Sequence, residues 1–75
     1  MKSDLGGNKY ITFAMKSKEL IRLLMQNGWY IVRQPGSHII MRHPDKTKQI
    51  VVLMHGNQDM AYGLLKRLLK DTGLL

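Results

Sequence analysis

Seventy-five residues, 44% of them hydrophobic, suffice for one compact domain and no more, because so short a chain buries only roughly 60% of the surface its unfolded form exposes. Twelve Lys or Arg against five Asp or Glu give a formal net charge of +7, a positive surface field that favours nucleic acid or an acidic protein as partner. The lack of cysteine excludes disulfides, thiolate metal sites and cysteine nucleophiles, leaving three histidines as the side chains that titrate near neutrality.

Met1 to Ala14 reads as an appendage: Ser3-Asp4-Leu5-Gly6-Gly7-Asn8 is turn chemistry and Tyr10-Ile11-Thr12-Phe13 a short strand-like run. It is a native extension, an upstream translation start or an expression remnant, and the domain proper is expected over 15–75. Ser17 is placed to cap a helix in which Glu19 meets the helix dipole, Leu20, Ile21, Leu23 and Leu24 form the apolar stripe, and Gly28 is the stop. Trp29 to Gln34 and Ser37 to His43 read as two strands joined at Pro35-Gly36. Pro44-Asp45-Lys46-Thr47 turns the chain into a third strand, Gln49 to Met54, whose continuous apolar character implies burial. His55-Gly56-Asn57-Gln58 ends that strand, Asp59 is expected to cap the next helix, and Leu64, Leu65, Leu68 and Leu69 mark that last helix, which ends at Gly73.

The order α-β-β-β-α predicts an α+β two-layer domain, with a three-stranded antiparallel sheet, both helices on one face and the other face wet. No apolar run approaches the roughly 20 residues of a membrane span and the N-terminus lacks the apolar core of a signal peptide, so a cytoplasmic protein without a membrane partner is expected.

Gly28-Trp29, Arg33, Gly36-Ser37-His38, His43-Pro44-Asp45-Lys46 and the run Gly63-Leu64-Leu65-Lys66-Arg67-Leu68-Leu69-Lys70 occur together in an arrangement that resembles the HicA (YcfA-like) toxin family, from about Met15 to Leu75. The resemblance implies a double-stranded-RNA-binding-like fold, cleavage of messenger RNA without an obligatory cofactor, and neutralisation by a cognate HicB-type antitoxin. One departure is the stretch Val52-Leu53-Met54-His55, which has no proline where family members commonly carry a Val-Pro step.

Metal-independent RNA cleavage needs a base for the ribose 2'-hydroxyl, stabilisation of the phosphorane and a proton for the leaving 5'-oxygen. His38 is the expected catalytic residue: it follows the glycine turn, and a two-residue-turn register sets it opposite Arg33, which would clamp the phosphate. Read without the resemblance, it is more readily a strand histidine with a local hydrogen bond. His55 is the second candidate, because a four-residue turn at Pro44 to Thr47 places Leu53 opposite His38 and His55 one step along the same face; it reads equally as an exposed loop histidine with no role. His43, beside Pro44, reads as a turn residue. RNA contacts are expected from Arg33, Gly36, Ser37, Arg42, Lys46 and Lys48, the last three read as nearest the hairpin end. A zinc site is disfavoured because no His-x-x-x-His pair or nearby carboxylate completes a ligand set.

Trp29 reads as core rather than a base-stacking ring, and Lys66, Arg67 and Lys70 as a solvated helix face from which a phosphate track can draw. Gly63, inside the last helix, costs up to about 1 kcal/mol relative to alanine; either it is simply tolerated, or another backbone or a phosphate comes close. The same charge and fold also suit a noncatalytic RNA-binding module, which would bind RNA and leave it intact.

Overall fold

A computed structural model describes residues 14–75; the strand-like run Tyr10–Phe13 lies outside the described residues. The elements are α1 (Ser17–Gln26), β1 (Tyr30–Arg33), β2 (His38–Arg42), β3 (Ile50–Leu53) and α2 (Tyr62–Asp71), in the α-β-β-β-α order expected. The sheet is antiparallel with strand order β1-β2-β3, so among the described residues β2 is central and both neighbours are edges.

Side-chain alternation along the strands decides what lies inside. Ile39 and Met41 of β2 and Ile50 and Val52 of β3 join Leu20 and Leu24 of α1 and Leu65, Leu68 and Leu69 of α2 in one buried cluster with Trp29 and Met60. Both helices therefore cover the same face. Full burial of each such Leu or Ile contributes about 1.5–3 kcal/mol, which is the main force holding two short helices to a three-stranded sheet.

The helix ends are closed by backbone geometry. Gly28, at φ +94°, donates its N–H to Met25 O at 3.2 Å while Trp29 donates to Leu24 O at 3.0 Å, a Schellman pair that turns the chain sharply from α1 into β1. Leu24 and Trp29 are both buried, so the turn is also fastened by apolar contact. The same pattern ends α2, with Gly73 N–H to Lys70 O at 3.1 Å and Leu74 N–H to Leu69 O at 2.8 Å.

Two capping expectations are corrected. The residue flanking α1 is Lys16, whose N–H donates to Glu19 Oε1 at 2.8 Å, and Ser17 is the first helical residue with its side chain fully buried. Asp59 does not cap α2, which follows Ala61. It instead pairs with Lys16 in an antiparallel bridge and by an ion pair of 3.6 Å, next to a Met60 N–H to Met15 O bond of 2.9 Å. These two short segments need partners for their backbone groups and find them in each other, which overrides the local capping tendency of Ser and Asp.

Candidate functional site

With Ile39 and Met41 committed to the core, alternation sends His38, Ile40 and Arg42 to the face turned away from both described helices. His38 pairs with Leu53 and Ile40 with Val51 across to β3, in the register expected for that hairpin. On the other side Tyr30 pairs with Arg42 and Ile31 with Met41, after which the register breaks and Arg33 pairs with Ile40. Val32 is the extra residue of a β-bulge.

The bulge corrects the expected pairing of His38 with Arg33. Arg33 is beside Ile40 and therefore diagonal to His38, at the about 7–8 Å typical of diagonal neighbours on one sheet face. The shared face is retained even though the two residues are not directly paired. Ile40 is only 6% exposed yet stands outside the buried cluster, at the centre of the face away from the described helices, whose register positions hold Tyr30, Arg33, His38, Arg42, Val51 and Leu53. None of these is acidic.

The three histidines differ in how they are held. Nδ1 of His43 accepts the Asp45 N–H at 3.0 Å, so its proton resides on Nε2, which donates to Asn27 O at 3.0 Å. Its ring meets Trp29 edge-on with centroids 5.4 Å apart, and a Cβ built on Gly28 would lie 2.7 Å from Nε2. His43 is thus a structural residue that pins the α1 stop to the turn after β2. By contrast, the exposed imidazole of His38 has no hydrogen-bond partner among the described residues, and only its backbone is tied, by an N–H to Pro35 O bond of 3.1 Å.

His55 is brought to the His38 end of the sheet. Met54 N–H donates to Ser37 O at 2.9 Å, joining the segment after β3 to the Pro35–Ser37 turn. The His55 N–H then donates to the buried Ser17 hydroxyl at 3.2 Å, while its side chain is exposed. Ser17, read from sequence as a cap, is the anchor of this loop; a small polar residue at a helix start carries no signal that separates the two roles. Gly36 tops the neighbouring turn at φ +61°, with no atom within 4 Å of a would-be Cβ, so its backbone is open to a ligand.

The other expected RNA contacts do not gather around His38. Arg42 ends β2 four residue steps away, about 13 Å at the rise of a strand, and its Nη2 donates to Thr47 O at 3.1 Å, bracing the 43–49 connection. Lys46 and Lys48 belong to that connection, at the opposite end of the sheet from His38. Lys46 Nζ is 3.8 Å from a Cβ position at Gly73, so its charge sits over the C-terminus of α2, where a cation is favoured. Among the described residues no three His, Asp or Glu side chains come close enough to share a metal ion, and no helix is long and apolar enough to cross a membrane.

The order α-β-β-β-α, with both helices packed on one face of a three-stranded antiparallel sheet, is the α+β architecture of small double-stranded-RNA-binding-like folds. The family model for the HicA toxin of bacterial toxin–antitoxin systems matches residues 17–74, and the chain belongs to that family. It is therefore a toxin, and membership implies an antitoxin partner. A comparison with curated proteins finds no match.

Proposed function

We propose that the chain is an endoribonuclease that cuts messenger RNA in the cytoplasm by metal-independent acid–base catalysis, with residues 15–75 as the active domain, 1–14 as an appendage and a HicB-type antitoxin as partner. The observation that carries the reading is the exposed, unpartnered imidazole of His38, which shares with Arg33 a face where the strand register places no carboxylate.

In this reading neutral His38 takes the proton from a ribose 2'-hydroxyl, and the 2'-oxygen attacks the adjacent phosphorus. The bond to the 5'-oxygen breaks, and that oxygen leaves with a proton supplied by His55 or by water, giving a cyclic phosphate and a free 5'-hydroxyl. Arg33 offsets the charge that builds on the phosphorane, and the open backbone at Gly36 and Ser37 lets a phosphate come close. Arg42 holds the same face farther along, and Lys46 and Lys48 act at a distance from the cut as phosphate contacts. An acidic antitoxin surface laid on the open face would block the histidine and neutralise the cations together.

The test is His38→Ala, followed by a cleavage gel and a growth assay beside circular dichroism. Loss of cleavage and of growth arrest with an unchanged fold is expected; retained toxicity would overturn the assignment. Intact RNA bound by the wild-type protein would instead identify a noncatalytic RNA-binding module.

A further inference from the structure

Gly63 has no role in the fold. It lies within α2 in a conformation that any residue adopts, and nothing stands within 4 Å of a would-be Cβ, so neither a turn nor a close packing contact requires glycine there. Burial of Leu65, Leu68 and Leu69 turns the opposite side of the helix to solvent, and on that side Gly63, Lys66, Arg67 and Lys70 line a shallow groove with Asp71. The groove contains no apolar side chain.

The groove continues into a cleft of about 570 Å³ between α2 and the 45–49 segment, which shares Arg67 and Asp71 and adds Lys46 and Lys48. Among the described residues the acidic side chains lining the tract are Asp45 and Asp71, and Asp71 is already engaged by Arg67 at 4.0 Å. Its course is fixed by the topology. Residues 54–61 lead from the His38 end of the sheet into α2, and the helix finishes beside Lys46, so the ten residues of α2 carry the tract about 15 Å from one end of the domain to the other.

We propose that the solvent side of α2, from Gly63 along Lys66, Arg67 and Lys70 to Lys48, binds the phosphate backbone of single-stranded RNA on one side of the cleavage point. The missing side chain at Gly63 leaves room for the strand as it rounds the domain end from His38. Trp29 and Ile50, the apolar side chains that line the cleft, are buried, and the exposed aromatic beside the tract, Tyr62, lies against Lys66 at 5.8 Å, so a protein partner finds no deep apolar anchor there, whereas a phosphate chain needs only spaced cations. The inference rests on the reading that RNA is the substrate, and it assigns α2 to affinity for long RNA, not to the chemical step.

Two variants test it: Lys66→Gln/Arg67→Gln/Lys70→Gln together, and Gly63→Glu, which sets a carboxylate among the cations while replacing glycine by a better helix former. Cleavage of a long single-stranded RNA is compared with cleavage of an oligonucleotide just long enough to hold the scissile bond, across a salt series. For both variants KM on the long RNA should rise on the order of tenfold, with kcat on the short substrate unchanged. The log–log salt slope should flatten by roughly 0.7 for each phosphate no longer neutralised. Thermal melting shows whether each variant folds, and Gly63→Glu keeps the test open if the triple variant does not. Unchanged KM and salt slope overturn the proposal alone, as does a loss confined to antitoxin binding. Wild-type protein that neither binds nor cuts either RNA overturns the endoribonuclease reading and this one with it.

Discussion

His43 donates from Nε2 to the carbonyl of Asn27 at 3.0 Å, and this bond joins the end of α1 to the turn after β2. Replacing His43 with Ala removes that bond, the Asp45 N–H bond and the edge contact with Trp29. The expected loss is about 1–3 kcal/mol, read from denaturant unfolding, with cleavage per folded molecule unchanged. In the folded wild type, nitrogen-15 NMR should find the His43 proton on Nε2; a proton on Nδ1 would contradict the arrangement.

Gly28→Ala attacks the same junction from the other side. The new Cβ would stand 2.7 Å from His43 Nε2 in a backbone conformation of φ +94°, so both sterics and local strain oppose it. A cost of about 2 kcal/mol or more is expected, with a fall in Tm of roughly 8 °C or more. A melting curve that superimposes on the wild type would show that the turn relaxes freely.

For the proposed chemistry, His38→Ala should slow cleavage about 10²–10⁴-fold, the usual span for a proton-transfer residue, while Tm moves little because the side chain is exposed. If His55 acts in the same step, His38→Ala/His55→Ala should be no slower than about the worse single variant, since residues that work as a unit are non-additive. Fully multiplicative losses, measured as single-turnover rates, would separate the two histidines.

Ser17→Ala withdraws the acceptor of the His55 N–H from a fully buried position. Stability should fall by about 1–3 kcal/mol, and hydrogen exchange at the His55 amide should accelerate selectively. Exchange that remains as slow as in the wild type would mean that other contacts hold the loop.

Much of the frame was legible because its causes are local. Gly28 and Gly73 stop their helices by the same backbone pairing, and the length of the Pro44–Thr47 turn set Leu53 opposite His38, whereas the continuous apolar run of β3 misled about burial, since Val51 is exposed. The bulge was not legible. Tyr30, Ile31, Val32 and Arg33 are all exposed, so no buried face dictated their alternation, and one extra residue cost the pattern nothing that could be read. Lys46 and Lys48 were grouped with the hairpin end by nearness in sequence, whereas the length of β2 carries them to the far end of the domain. For Ser17 and Asp59, capping propensity gave way to pairing between segments distant in the chain.

The break at Val32 also bears on how such a chain survives at high concentration. Among the described residues β1 is an edge strand with Tyr30, Ile31 and Val32 exposed, the kind of ledge on which a neighbouring chain can lay a strand of its own. A bulge in so short an edge throws its outward N–H and C=O groups out of step, so an incoming strand matches one side of the break or the other but not both. The same extra residue that brings Arg33 level with Ile40 thereby makes β1 a poorer template for edge-to-edge pairing.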